Sequence, residues 1–558
     1  MIDPAGGPPA PAALYGHVER LVCSDHSLFC SGWLLHGSQP IVALELRSAL
    51  GDQTWPAQYG SARPDVRAAR RAAPAWAEHC GFSIVGPAVG PAARDLLLRA
   101  RLADGSSLDW PLDRRLATAA CGRRPPRGWR VPVHLAGKAA RYVLDGRWRD
   151  LLPAAARIWR ERPRAPLASR QRLSTALAAA GELDWVIDHA MGGGANQFRT
   201  RLVEDLRHRG RTVLLVSFHL PTLTPMVQLH AAQDAAERLA LADYDALFDL
   251  WRLRPPRRVY INDLVSFDAP LDLLARLAAA LQAHAPTELT LYLHDYYALC
   301  PSHCLLDADG RYCDLPSDPA VCNACLARHP GEFVRQAGAH DIGRWRGAWA
   351  PLVDRADAIV GFAPTPLALF ERVHPLARTK FHLRPHSMAH FATAARPRFD
   401  PQGAPVLAIV GEIAQHKGAE VVLGLADVID ARAHRLRLVV IGELRHTRAR
   451  LPACLSVTGR YRPEQLGRLI EQHGVNAALF PSIWPETFSY VVHELLALGL
   501  PVAAFELGAQ ADALARAPGG VLLPLCTGDE LLQRLDRAYD AWRAAGSRLS
   551  PSAGARSP

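Results

Sequence analysis

A stretch of 28 residues near the C-terminus, PSIWPETFSYVVHELLALGLPVAAFELG (481–508), constrains the fold more than any other part of the chain. Apolar residues at helical spacing predict a helix from about Ser489 to Leu498, and Gly499 and Pro501 stop it. Val502-Ala503-Ala504-Phe505 then reads as a short buried strand. A stopped helix followed at once by such a strand is an α/β unit. The same stretch holds Glu486 and Glu494, eight positions apart, which is a little over two helical turns. Glu494 therefore lies on roughly the same side as Glu486, one element later. Carboxylates accept hydrogen bonds from hydroxyl groups, so the pair suits a polyhydroxylated ligand. The bland alternative is a solvated helix with a surface glutamate. Pro481-Ser482, Trp484-Pro485 and the Gly499-x-Pro501 stop weigh against it.

The chain has 558 residues, enough for about three or four domains. No apolar run reaches the ~18–20 residues of a membrane span. The start, MIDPAGGPPAPAALYGH, has neither the basic residues nor the apolar core of a secretory signal. A reducing, cytoplasmic setting is therefore expected, and cysteines in such a setting read as metal ligands before disulfides. Net charge is +10, and 61 of the 64 basic residues are arginine, with lysine only at 138, 380 and 417. No nucleic-acid-binding pattern accompanies that charge, so nucleic acid is not expected as a partner.

Residues 1–115 read as a β-sandwich-like module. His17 to Val22, Leu28 to Leu35 and Ile41 to Ser48 are strand candidates; Leu98, Ala100 and Leu102 alternate before a hairpin turn at Ala103-Asp104-Gly105. Trp33 or Trp55 could serve as a sugar platform, although both fit a core, Trp33 in particular. Residues 116–182 form an arginine-rich helical connector. In it Leu151, Leu152, Ala155, Ile158 and Trp159 share a face, either for packing on a neighbouring domain or for peripheral contact with an anionic membrane.

Two Rossmann-like halves follow. In the first, 183–385, the strand Leu183 to Asp188 runs into His189-Ala190-Met191-Gly192-Gly193-Gly194 and then a helix from Gln197. That order lets backbone N–H groups approach a phosphate. Alternating strands and helices are expected to continue to Leu281. The strand Leu289 to Leu293 ends in His294-Asp295, where open α/β sheets bind ligands. A Cys-rich insertion, 296–330, carries Cys300, Cys304, Cys313, Cys322 and Cys325. The C-x2-C pair is a metal bite, and Cys300, Cys313, Cys322 and Cys325 are the expected ligands of a structural zinc, the alternative being thiols that merely pack. A helix over Asp341 to Val353 buries Trp345 and Trp349. In the second half, 386–545, the strand Val406 to Val410 ends in Gly411-Glu412-Ile413-Ala414-Gln415-His416-Lys417-Gly418, and a helix starts at Ala419. Lys417 and that helix N-terminus can share one pyrophosphate. The final helix, Glu530 to Ala545, is expected to cross back to the first half, and 546–558 is a disordered tail.

Glu486 and Glu494 with seven residues between them, the glycine loop, His294, the Lys417-Gly418 pair and the Gly459-Arg460-Tyr461 turn together resemble the family 4 glycosyltransferases, retaining enzymes of the two-Rossmann-domain GT-B fold. The resemblance spans roughly 183–535. It implies transfer of a sugar from a nucleotide-sugar to a glycan or lipid-linked acceptor, with no catalytic metal, in cell-surface polysaccharide or lipopolysaccharide assembly, and a place in the cytoplasm or peripherally on the inner membrane. It implies that Gly193 and Gly194 bind the donor in a loop between acceptor and donor phosphate, and that His294, contacting sugar or acceptor, and Glu486, contacting the donor sugar, are the catalytic residues. It further implies that Lys417 and the backbone of Phe488 and Ser489 hold the phosphates, and Glu494 the ribose. Its spaced cysteines after an HD-x4-CP run also resemble a subset of the family. One position departs: Glu412 stands where the family carries a phosphate-binding arginine, so His416, Arg384 or another arginine is expected to supply the charge. The rival readings are a GT-B scaffold without turnover that still binds sugar or nucleotide, and a phosphorylase or epimerase of the same fold.

Overall fold

The computed structural model describes residues 14–112 and 173–545, apart from 24–26, 49–53, 62, 64–65, 68–73, 88–95, 174, 178, 221–222, 232–237, 389–402 and 446–449. The connector helix around Leu151 to Trp159 and the tail from 546 lie outside the described residues. The chain divides into two compact units. One comprises Met1–Val186, Thr200–Val259 and Gln282–Thr287; the other comprises Ile187–Arg199, Tyr260–Leu281 and Glu288–Pro558.

The first unit opens with β1 (Leu14–Cys23), β2 (Ser27–His36), β3 (Ile41–Ser48), β4 (Thr54–Pro56), β5 (Gln58–Ser61), β6 (Gly81–Pro87), β7 (Leu96–Leu102) and β8 (Ser107–Pro111). They make two four-stranded sheets, ordered β1-β2-β6-β5 and β4-β3-β7-β8. The alternation read from the sequence sets the faces. Leu96, Leu98, Ala100 and Leu102 of β7 all point into a core shared with Leu44 and Leu46 of β3 and with Val18, Leu34 and Ile84 of the other sheet. Trp55 is buried in that core at 2% exposure, which removes it as a sugar platform. Trp33 is half-buried against Leu35, Val66, Ala77 and Cys80.

β9 (Leu183–Ile187), β10 (Thr212–His219), β11 (Thr224–His230) and β12 (Leu239–Ala240) follow in the order β12-β11-β10-β9. Here the structure departs from the expected strand–helix alternation. β10 turns straight back into β11, pairing antiparallel from Val213↔His230 to His219↔Thr224. Residues 220–223 are too few for the crossover helix that a parallel neighbour requires.

The second unit carries the last two residues of β13 (Arg258–Ile261), then β14 (Glu288–Tyr292), β15 (Ala358–Gly361) and β16 (Phe381–Leu383), with β14, β15 and β16 parallel. Its other sheet is built of β17 (Val406–Ile413), β18 (Arg437–Leu444), β19 (Leu455–Val457), β20 (Ala477–Phe480), β21 (Val502–Phe505) and β22 (Gly520–Leu523), ordered β19-β18-β17-β20-β21-β22 and parallel wherever the register is defined. Parallel strands covered on both faces read as continuous apolar runs, and β17 divides its residues accordingly. Leu407 and Ile409 enter one core, and Val406, Ala408 and Val410 the other.

Four helices matter below: α1 (Gly194–His208), α2 (Ala419–Ala431), α3 (Tyr490–Ala497) and α4 (Gly528–Ala545). α4 does not cross back to the first half as expected. Leu531, Leu535, Tyr539 and Trp542 pack beside α2 in the same core as Leu407, and Trp542 Nε1 donates to the Gly519 carbonyl. Its apolar stripe matches the face of β17, which is where the burial is gained. The helix over Ile342–Arg355 buries Trp345 and Trp349, and Asp341 caps it by accepting from the Arg344 N–H. Among the described residues no helix is long and apolar enough to cross a membrane.

Candidate active site

The site forms at the carboxyl ends of the second unit's parallel strands, where helix N-termini and unpaired backbone donors collect. β17 ends at Ile413, and Gln415–Lys417 make one tight turn before α2. Gly418 ends that turn in the left-handed region, φ 84°, and caps α2 without a side-chain hydrogen bond. A Cβ there would lie 2.0 Å from the Pro481 carbonyl oxygen, so the turn after β17 presses directly on the loop after β20. Only glycine fits.

That crossing brings Lys417 to Glu486. The ammonium lies 2.5 Å from Glu486 Oε1, and Ser482 Oγ donates to the same oxygen at 3.1 Å. Glu486 is 3% exposed. Its loop is fixed from below by Gln510, which is fully buried: Gln510 Oε1 accepts from the Glu486 N–H, and Gln510 Nε2 donates to the Trp484 carbonyl. A buried carboxylate persists only when paired and hydrogen-bonded, and both conditions are met here. Ser489 caps α3 by accepting from the Val492 N–H at 3.4 Å, and Phe488 stacks on His493 with ring centroids 4.5 Å apart. One turn into α3, burial lifts the Glu494 carboxyl to about 6. The Tyr461 phenol is raised by its own burial and, secondarily, by the charge of Glu494. The motif therefore places Glu486, Ser489, Glu494 and Lys417 around one strand-end region.

The other strand ends of this unit carry His294 and the glycine loop. His294 Nε2 lies 3.0 Å from Asn262 Oδ1, and the His294 carbonyl accepts from Thr487 Oγ1 at 2.8 Å, next to Glu486 in sequence. Burial holds the imidazole well below its ordinary pKa, and His386 and His189 add to the fall, so it is neutral at pH 7. Gly193 and Gly194 open α1; a Cβ on Gly194 would stand 3.1 Å from the Tyr490 ring, which begins α3. The predicted histidine, the glycine loop and the start of α3 thus meet.

Glu412 accepts both Nε and Nη2 of Arg445, which follows β18 and donates its N–H to the Ile413 carbonyl. Burial pushes the His416 imidazole down to about 3, with Lys417, His303 and Arg445 contributing. Cys300, Cys313, Cys322 and Cys325 are mutual neighbours. Burial lifts Cys300 to about 12 and Cys313 to about 11, and the surrounding thiols add to both. Cys304 stands apart, in the field of Asp295, Lys417 and Glu486. Among the described residues no three or more His, Cys, Asp or Glu side chains are gathered into a metal shell.

Residues 393–550 match the family Glycosyl transferases group 1. The glycosyltransferase match contains Lys417, Glu486 and Glu494; Gly193, Gly194, His294 and the cysteines lie before it. A GDP-mannose-dependent alpha-mannosyltransferase of Mycobacterium tuberculosis is 34% identical over 134 residues, 23% of this chain and 33% of the relative, so the match spans about a third of that protein. Two solved structures are similar at low identity. They are a sucrose-phosphate synthase from Thermosynechococcus elongatus (14% identical, 66% of this chain and 92% of that one, TM-score 0.43) and the lipopolysaccharide outer core galactosyltransferase WaaB (11%, 67% and 96%, TM-score 0.38). Sequence reasoning missed Gln510, Ser482, Asn262 and Arg445. Only Asn262 carried a signal, as the first of a polar pair, Asn262-Asp263, directly after a strand, like His294-Asp295.

Proposed function

We propose that this protein transfers a sugar from a nucleotide-sugar to a hydroxyl of a glycan or lipid-linked acceptor. The observation that carries the reading is the contact of Lys417 with Glu486. It joins a phosphate-type cation, beside the uncapped N-terminus of α2, to a buried sugar-type carboxylate. A glycosyl phosphate has its scissile C–O bond at just such a junction. Lys417 and the helix N-terminus stabilise charge as the diphosphate leaves. Glu486 holds the sugar, Glu494 accepts from ribose hydroxyls, and the backbone at Phe488 and Ser489 receives phosphate oxygens.

In this reading transfer retains configuration, in the manner of family 4, with the leaving phosphate assisting deprotonation of the acceptor on the same face. The product belongs to cell-surface polysaccharide, and the enzyme works in the cytoplasm or peripherally on the inner membrane. A structural zinc would require the four thiols of the 296–330 insertion to draw together; elemental analysis of the purified protein tests it. Glu412 favours a second reading, a scaffold that binds without turnover. Arg445, held by Glu412 at the next strand end, supplies a guanidinium that weakens that rival.

The test is thermal stability against GDP, UDP, ADP and their sugars, with GDP-mannose first because of the named relative. A ligand at ~100 times its dissociation constant adds about 2.7 kcal/mol, or several degrees at roughly 2–4 °C per kcal/mol. A shift with one nucleotide, lost in Lys417→Ala and Glu494→Ala, supports the reading. No shift with any of them sinks it.

A further inference from the structure

Three strand ends of the second unit finish in polar pairs: Asp188-His189, Asn262-Asp263 and His294-Asp295. They interlock through the Asn262 and Asp263 N–H groups, both donating to the Ile187 carbonyl. The two histidines differ in what the protein leaves them. His189 is fully engaged. Its Nδ1 accepts from the Met191 N–H at 3.1 Å, and its Nε2 lies 3.5 Å from Asp263 Oδ2. Among the described residues the His294 ring nitrogens are engaged on one side only, by Asn262.

The orientation of Asn262 decides the proton. Its Nδ2 donates to the Ala195 carbonyl at 3.1 Å, at the start of α1, so Oδ1 is the atom that faces His294 Nε2 at 3.0 Å. An amide oxygen only accepts. The hydrogen of the neutral ring must therefore sit on Nε2, and Nδ1 keeps its lone pair. Among the described residues nothing donates to His294 Nδ1. The ring itself is held by Phe362 and Phe198, with centroids 4.6 and 5.0 Å away.

We propose that Asn262 is a positioning residue: it fixes His294 as the Nε2–H tautomer and so presents Nδ1 as a hydrogen-bond acceptor for a hydroxyl of the sugar or of the acceptor molecule. The hydroxyl's identity as substrate rests on the glycosyl-transfer reading; the tautomer does not. Such a site selects a neutral hydroxyl over a carbonyl or a carboxylate, neither of which has a proton to give.

The experiment is long-range 1H–15N correlation on the full chain labelled with 15N-histidine, with the His294 signals identified by their loss in His294→Gln. The native protein should show a protonated Nε2 and an unprotonated Nδ1. Asn262→Ala should lose that single tautomer. In Asn262→Ala, kcat should fall about tenfold, as expected for one hydrogen bond, while calorimetric affinity for GDP and UDP stays unchanged. A native His294 protonated on Nδ1 overturns the proposal, and needs no variant to fold. So does an Asn262→Ala protein that is folded by circular dichroism and keeps the native nitrogen pattern. The tautomer readout requires no turnover, so a protein that transfers no sugar yet loses its tautomer in Asn262→Ala sinks the glycosyl-transfer reading and upholds the assignment of Asn262.

Discussion

Two groups of strand ends in the second unit treat charge in opposite ways. At the ends of β17, β18 and β20 the protein forms ion pairs: the Lys417 ammonium with the Glu486 carboxylate, and the Arg445 guanidinium with Glu412. After β13 and β14 it suppresses charge. His294 is held neutral, and burial raises Asp263 and Asp295 well above the usual carboxylate range, with the charge of Asp188 acting on the first and that of Asp263 on the second. Both groups follow strand ends of the same unit, so position in the fold alone does not set the difference. Partner supply does. An ammonium and a hydroxyl reach Glu486, whereas Asp263 and Asp295 have other acids as neighbours, which add to the upward push of burial. The first arrangement fits a diphosphate and the second fits hydroxyl groups.

The sharpest way to break this contrast is to remove the cation. Lys417→Ala leaves Glu486 buried without its partner, and should cost roughly 3 kcal/mol of stability as well as weaken nucleoside diphosphate binding by about a hundredfold. Lys417→Arg should recover much of the stability. Melting curves and calorimetric titration read both quantities, and an unchanged affinity would show that the ion pair is only structural. Next in size is Gln510→Leu, which strips the Glu486 N–H and the Trp484 carbonyl of their buried partner and should destabilise by about 2–3 kcal/mol. Gln510→Glu should restore only the bond accepted from Glu486.

Glu494→Gln sharpens the comparison through pH. The folded carboxyl is raised from 4.5 to about 6, so the folded state binds the proton more tightly than the unfolded one, and native stability falls as pH rises from about 4.5 through 6. Glutamine carries no such loss. The variant should melt higher than the native protein at pH 8, by at most about 2 kcal/mol, and the two should coincide at pH 4. Its nucleotide affinity should nevertheless be lower. A native melting temperature that does not fall between pH 4.5 and 7 relative to the variant refutes the assignment. The smallest effect belongs to Arg445→Ala. The pair with Glu412 is half exposed, so stability should move by less than about 1 kcal/mol, while affinity for a nucleoside diphosphate drops up to about tenfold. Equal affinities would leave Glu412 without a compensating cation.

The parts of the site legible in the sequence are those whose neighbours in the chain reveal them. Lys417 follows a strand and precedes a helix, Glu494 lies in a helix bounded by Ser489 and Gly499, and His294 ends a strand. Gln510 and Ser482 had no such marks: Gln510 reaches the Glu486 N–H from a later helix and Ser482 its carboxylate from four residues upstream, and a polar residue looks the same in sequence whether or not it meets a partner. Arg445 was hidden among 61 arginines, because composition removes the contrast that made Lys417 visible. In the fold, β17 and β21 were readable from apolar runs and glycine stops, whereas β19 and β22 were not read as strands. The β10–β11 hairpin was not readable either, since an almost wholly buried strand such as β10 gives no sign of which direction its neighbour runs.

The contact of Gly418 with the Pro481 carbonyl has a consequence for anyone wishing to change what this protein accepts. Because backbone meets backbone there, the spacing between Lys417 and Glu486 is a constant of the scaffold that no side-chain library can tune. Variation aimed at a new donor should leave residues 417, 418 and 481 untouched and explore instead the half-buried ring of Phe488 and the neighbouring Ile483. A change at Gly418 would be expected to yield insoluble protein before it yields a new specificity.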